Sequence, residues 1–325
     1  MTSTSRPSSA PSSLLSAQPP AAAIEIAGGR VSIAEIGSGA GGLVVSAFAS
    51  EPLPEGAVTP ALTGPNVVNQ EQVTAALRRA CEHAGIRPPK RAALVIPDSA
   101  ARVSLLTFEQ LPQKPAEVDQ LVRWQIKKAT PFPLEEAQVS HVITHQEPGA
   151  TTLAVTVARR DVITQYENAV LALGTHPGIV DLSSMSVVNA VLAGGASPVG
   201  DWLLVNVAPE STVLAIVRAG QLMFYRHRHN IDEEPLGALV HQTAMYHEDR
   251  LGGQKFARVW LCGSSWADAG GAAIHREISQ RLGVQAEPVD VRVSATVQDR
   301  IGARPDVLDA MAAPLGVLLR DRKVA

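Results

Sequence analysis

The chain has 325 residues, of which 46% are apolar and only 4% aromatic, and a formal net charge of −3. That length and apolar fraction can fill the cores of two ordinary domains and exclude a chain that is disordered throughout. Charges of both signs are dispersed along it, so it carries no electrostatic footprint for nucleic acid or for an anionic membrane surface, and neither is expected as a direct partner.

Residues 1–22 are Ser, Pro and Ala with almost no large apolar side chain, so they cannot bury enough surface to offset ordering entropy and are expected to form a disordered tail. The tail has no apolar signal core, and no run approaches the roughly 18 apolar residues of a membrane span. Strands are predicted at 24–27 and 29–36, with 42–49 returning as a hairpin partner across the glycine-rich run 37–42. Residues 70–84 form a helix ended by Gly85 and the pair Pro88-Pro89. Strands follow at 91–97, 103–111 and 139–146, with a helix at 115–128 that places Val118, Leu121, Val122 and Gln125 on one face. Pro131 and Pro133 then fix φ and bias the residues before them toward extended geometry, so the helix stops and Phe132 is presented on a stiff loop. A strand at 152–157, a helix at 161–173 ended by Gly174, and a helix at 183–192 lead to a candidate boundary at 194–200.

The second half repeats the opening in outline. Strands at 202–207, 211–219 and 221–228 resemble the first three strands, followed by a helix at 236–251, a strand at 256–262 and a helix at 272–282 ended by Gly283. Strands joined by helices in both halves indicate α/β architecture. Cys81 and Cys262 are far apart, without the spacing of a metal knuckle or a redox pair, and read as small buried hydrophobes of a reducing cytoplasm.

Ala129-Thr-Pro-Phe-Pro-Leu-Glu-Glu136, set between an amphipathic helix and an alternating strand, resembles the corresponding segment of the type IV pilus assembly protein PilM family. Further similarities follow in order: Val155-Thr-Val-Ala-Arg-Arg-Asp-Val-Ile163, Gly178-Ile-Val-Asp-Leu-Ser-Ser184, Tyr246-His-Glu-Asp-Arg-Leu-Gly-Gly253, Val259-Trp-Leu-Cys-Gly-Ser-Ser265 and Ala313-Pro-Leu-Gly-Val-Leu-Leu-Arg320. The resemblance implies an actin-like (ribonuclease H-like) two-domain α/β fold related to the cell-division protein FtsA. Its first domain would span 23–197 and contain an inserted α+β subdomain at about 90–173. The second would span 198–325, with a C-terminal helix at 307–320 packing back on the first.

Actin-like proteins hold Mg·ATP between two hairpin turns, each preceded by an aspartate. By that resemblance the first turn is expected at Ile33-Ala-Glu-Ile-Gly-Ser-Gly39, with Glu35 in place of aspartate and Gly37, Ser38 and Gly39 facing phosphate. The second is expected at Leu204-Val-Asn-Val-Ala-Pro-Glu210, with Asn206 in place of aspartate and Ala208-Pro209 in place of the expected small residues. Gly263, Ser264 and Ser265 would border adenosine. A neutral amide is a poor Mg²⁺ ligand and Pro209 removes a phosphate-facing donor. Nucleotide binding is therefore expected to be weak or lost, with Mg·ATP binding and slow turnover as the alternative.

No other constellation offers catalysis or a metal. The P-loop fingerprint and the Gly-x-Ser-x-Gly elbow are absent, and His227, His229, His241 and His247 lack a ligand spacing. The resemblance implies a cytoplasmic scaffold at the inner membrane that holds the tail of a PilN-like membrane protein in a groove beside the inserted subdomain, with Phe132 and Leu134 as candidate wall residues. Pilus motor ATPases and a second copy of the chain are further candidate partners. The cytoplasmic actin-like component of type II secretion is the related alternative, and the chain's end shortly after Arg320, with no span following, weighs against it.

Overall fold

The computed structural model describes residues 20–39, 42–194, 200–230, 235–263 and 271–320. The first half runs β1 (Ala22–Ile26), β2 (Arg30–Gly39), β3 (Gly42–Pro52), α1 (Gln70–Ala84), β4 (Arg91–Ile96), β5 (Ala101–Phe108), α2 (Pro115–Ile126), β6 (Ala137–Glu147), β7 (Ala150–Arg159), α3 (Arg160–Leu171), β8 (His176–Leu182) and α4 (Ser183–Ala193). The second runs β9 (Asp201–Val207), β10 (Ser211–Arg218), β11 (Gln221–His229), α5 (Leu236–Leu251), β12 (Arg258–Cys262), α6 (Gly271–Leu282), β13 (Ala286–Pro288), β14 (Thr296–Val297) and α7 (Pro305–Leu319).

Two sheets share a five-strand order, to which β14 adds a sixth strand in the first. The first reads β14-β3-β2-β1-β4-β8 and the second β11-β10-β9-β12-β13. In each, a central strand pairs antiparallel with a hairpin on one side and parallel with crossover strands on the other. This duplicated arrangement is the actin-like α/β fold.

The helices are placed by their apolar faces. α1 and α3 cover the outer face of the first sheet, where Leu77 and Tyr166 pack on Ile24, Ile26 and Ile33, while α5 and α6 cover the second around Leu203, Val205 and Leu214. Asn69 caps α1 by accepting the Gln72 N–H, and Gly85 ends it in a left-handed conformation at φ 70°. α4 and α7 fill the space between the sheets, so α7 is buried at every position from Leu308 to Leu319. Burial all round explains its small and aliphatic composition; Leu315, Leu318 and Leu319 each contribute about 1.5–3 kcal/mol when removed from water.

Between β4 and α3 the chain builds a third sheet, β5-β7-β6, with α2 on one face. β4 itself pairs with β1 and β8, so the insertion in the first sheet starts after β4, later than the Lys90 boundary drawn from sequence. The expected tail boundary also shifts, because Ala22 belongs to β1 and the Ala21 carbonyl accepts the Ile36 N–H; residues 1–19 lie outside the described chain.

The α4–α7 seam depends on one glycine. A Cβ at Gly316 would lie 1.8 Å from the Ser186 carbonyl oxygen of α4, which is backbone and cannot swing aside. Gly316→Ala is therefore expected to lower unfolding free energy by about 1–3 kcal/mol or more in urea titrations. A neutral substitution would show that the two helices can separate freely.

Candidate functional site

Two concavities lie beside these elements: a crevice between the two main sheets and a groove between the first sheet and the insertion. Both are built from strand ends and helix termini.

In the crevice the β1–β2 turn, residues 27–29, faces the β9–β10 turn, residues 208–210. Their backbones match: the Ala27 N–H donates to the Arg30 carbonyl at 2.9 Å and the Ala208 N–H to the Ser211 carbonyl at 2.8 Å. Glu25 is thus the counterpart of Asn206, each one residue before the end of its strand. This corrects the first turn expected from sequence. Glu35 lies on β2 opposite Ala22 and Ala47, at the other end of the β1–β2 ladder from the turn, and Gly37, Ser38 and Gly39 are exposed at the β2–β3 hairpin; none of them borders the crevice. The glycine-rich 37–42 run serves the β2–β3 hairpin, and the crevice turn is the shorter Ala27-Gly28-Gly29. Asn206 and Gly263 do line the crevice, whereas Ser264 and Ser265 lie outside the described residues.

The chain's own carboxylates answer the backbone donors that face this space. Asp98, buried at the end of β4, accepts the Ser184 N–H at the start of α4 (3.1 Å), the Ser184 hydroxyl (2.7 Å) and the Tyr225 hydroxyl (3.0 Å). Asn206 Nδ2 donates to the same Ser184 hydroxyl at 2.9 Å. Asp309 on α7 accepts the Gly263 N–H at 2.7 Å. Glu25 is paired with Arg30 at 3.0 Å. Across the turns, Glu210 Oε2 would be 3.1 Å from a Cβ on Gly28, so its carboxylate stands where the two turns meet, without a hydrogen-bond partner for that oxygen. The remaining room is about 40 Å³, enough for one or two waters and far below the roughly 300–1,000 Å³ of ordinary ligand pockets.

Burial dominates the electrostatics. It pushes the Asp98 carboxyl up to about 6 against the hydrogen bonds of Ser184 and Tyr225, and the Glu210 carboxyl up to about 6 against a backbone hydrogen bond. Glu25 is also raised by burial, with Arg30 opposing. Beside Asp98, the Ser99 hydroxyl is 3.1 Å from His227 Nε2 and 3.2 Å from the Ser211 hydroxyl, and burial pushes the imidazole down to about 4. Together these contacts tie the end of β4 and the start of α4 to β9, β10 and β11.

The groove is far larger, about 1090 Å³. One wall is the face of β6 and β7 opposite α2, with Ser140, Val142, Ala154 and Thr156; the other carries Ile163 of α3, Val180 and Leu182 of β8, and Met185, Val188 and Leu192 of α4. Arg160 and the Asp181–Arg320 pair, 3.2 Å apart, add charge to the lining. The β10–β11 turn also reaches the groove, where the Thr144 hydroxyl donates to the Leu222 carbonyl at 2.8 Å and His145 Nδ1 meets Gln221 Oε1 at 2.5 Å. Val142 and Ile143 are 63% and 53% exposed in this lining, a cost in water that suits a surface awaiting a partner. Phe132 and Leu134, the expected wall residues, do not border it. Phe132 is buried with Val122, Ile126, Val139 and Val155 in the insertion's own core, and Leu134 packs against that cluster, so both support the wall from behind. Sequence reasoning passed over Val142 and Ile143, whose signal was consecutive apolar residues on a strand of otherwise polar alternation.

Glu210 gives the crevice a measurable pH signature. Its folded pKa lies above the ordinary carboxylate value, so between about pH 4.5 and 6 the unfolded chain has released a proton that the folded chain retains, and stability falls as pH rises through that window. Asp98 has the same sign over about 3.8 to 6. Glu210→Gln is expected to flatten the profile and to leave stability at neutral pH unchanged or up to about 2 kcal/mol higher, read by urea unfolding at several pH values. A loss at neutral pH would show that the ionised carboxylate stabilises the turn.

One solved structure agrees with this topology over nearly the whole chain. The protein of a "PilM-PilN type IV pilus biogenesis complex" superposes with a TM-score of 0.77 at 17% identity, covering 92% of this chain and 98% of that one. A Bacteroides thetaiotaomicron protein with an actin-like ATPase fold and unknown function gives 0.49 at 10% identity over 93% of this chain and 95% of its own. The cytoplasmic domain of Epsl, an inner-membrane component of the type II secretion system of Vibrio cholerae, gives 0.45 at 9% identity over 74% and 80%. No curated protein sequence matches. The family described as type IV pilus assembly protein PilM matches residues 23–233, about two thirds of the chain and most of the elements that build the crevice and the groove, and the chain belongs to that family.

Proposed function

We propose that this protein is a non-catalytic scaffold of a type IV pilus machine, seated on the cytoplasmic face of the inner membrane, and that its groove holds the cytoplasmic tail of a PilN-like membrane protein. Membership of the PilM family supports the pilus assembly role. The observation that carries the finer reading is the 1090 Å³ groove, whose walls mix polar and apolar side chains and expose Val142 and Ile143. A short tail could seat a few apolar anchors there and order on binding, which gives modest affinity sensitive to anchor loss. Among the described residues no helix is long and apolar enough to cross a membrane, so in this reading the tail supplies the membrane attachment.

The crevice supports the non-catalytic part. In this reading Asp98 and Asp309 occupy backbone N–H donors and Glu210 adds a carboxylate beside the two turns, so a phosphate would meet like charge, and two like charges about 4 Å apart cost about 4 kcal/mol at an effective dielectric of 20. Asn206 gives Mg²⁺ no negative charge, Pro209 gives phosphate no N–H, and Glu25 is held by Arg30.

A synthetic peptide of the PilN-like tail should bind the purified chain, and the double substitution Val142→Asp, Ile143→Asp should weaken it at least tenfold, about 1.4 kcal/mol, while circular dichroism stays native-like. Failure of the native chain to bind the peptide, or equal binding by the variant, would remove the groove from the account.

A further inference from the structure

α2 lies on the face of the insertion away from the groove. Its inner side is set by Val122 and Ile126, which are buried with Val139 and Val155. Trp124 points the opposite way, 200° from Val122 at 100° per residue, and is 72% exposed, the most exposed large apolar side chain among the described residues. Lys127 and Lys128 follow it at i+3 and i+4, on the same outer surface. Neither lysine has a carboxylate partner among the described residues, whereas both acids of the helix do: Asp119 pairs with Arg123 at 2.8 Å and Glu117 with Lys114 at 3.0 Å. Arg102 reaches the same end, donating to the Ala129 carbonyl at 2.8 Å.

We propose that this outer face of α2 rests on an anionic lipid surface, with the Trp124 indole at headgroup level and Lys127, Lys128 and Arg102 facing lipid phosphates. An indole with an apolar body and one N–H is suited to that boundary, and lysines attract anionic lipid without insertion of the helix. Neutralisation of Asp119 and Glu117 within the helix leaves a local cationic surface on a chain whose net charge is −3. The contact is peripheral and distinct from tail capture: the groove lies on the other face of the β5-β7-β6 sheet, so the two can act together or be lost separately.

The test is flotation of the full-length chain, without any tail peptide, with vesicles of phosphatidylcholine alone or mixed with phosphatidylglycerol. Binding to the anionic vesicles only, weakening as salt shortens the screening length, is expected. Each basic residue is worth about fivefold in partitioning, so Lys127→Glu with Lys128→Glu should reduce it by about 25-fold or more. Trp124→Ser should reduce it severalfold at every salt concentration, and all three residues are exposed, so circular dichroism should be unchanged. Equal partitioning to neutral and anionic vesicles, or full retention in the lysine variant, would overturn the proposal. So would capture of an acidic soluble protein through these residues with vesicles left unbound. None of these outcomes bears on tail capture.

Discussion

The hydrogen bond between the Ser184 N–H and the Asp98 carboxylate is the contact on which the rest of the arrangement depends. A helix N-terminus presents unsatisfied donors and a partial positive charge, which makes it a ready anion site. Here α4 receives that anion from the end of β4, and the same carboxylate accepts from Tyr225 on the second sheet while Ser184 accepts from Asn206. One buried acid therefore fixes α4, and with it the seam against α7, relative to both sheets. Asp309 repeats the logic at Gly263, where φ is 77° and an added Cβ would lie 2.0 Å from the Val207 carbonyl oxygen, so glycine alone suits the turn that presents this N–H to α7. The crevice is bridged by hydrogen bonds among the chain's own side chains and backbone.

That closure gives the insertion a fixed base. β5 and β7 leave the first sheet at Ala101 and return at Arg159, and the Thr144–Leu222 and His145–Gln221 contacts pin β6 to the second half. The groove walls therefore come from the insertion, from β8 with α3 and α4, and from the β10–β11 turn, and the groove itself is preorganised.

Much of this was legible in the sequence. Helices such as α1 and α5 carry clear glycine stops, Gly85 and Gly252, and the repeat of strand, strand, strand in the two halves indicates the duplicated architecture. The same repeat contains a signal for the first crevice turn: Ile24-Glu-Ile-Ala-Gly-Gly-Arg30 aligns with Val205-Asn-Val-Ala-Pro-Glu-Ser211, sharing a β-branched, polar, β-branched, Ala pattern at its first four positions. It was obscured because β2 is ten residues long and its far end is richer in glycine. Phe132 is left open by the sequence for a different reason: a stiff loop fixes the backbone but not the side chain's direction, and in the fold the hydrophobic effect turns the ring inward. β13 and β14 are too short to show a period, and the carboxylates that fill the crevice come from β4, β9–β10 and α7, segments whose convergence only the tertiary fold reveals.

The central claim is that internal carboxylates have replaced a nucleotide's phosphates. Calorimetric titration of the purified chain with ATP and Mg²⁺ tests it most directly. The account predicts no saturable heat with ATP up to about 1 mM, where any residual affinity would be weaker than roughly −4 kcal/mol; saturable binding in the micromolar range would contradict it.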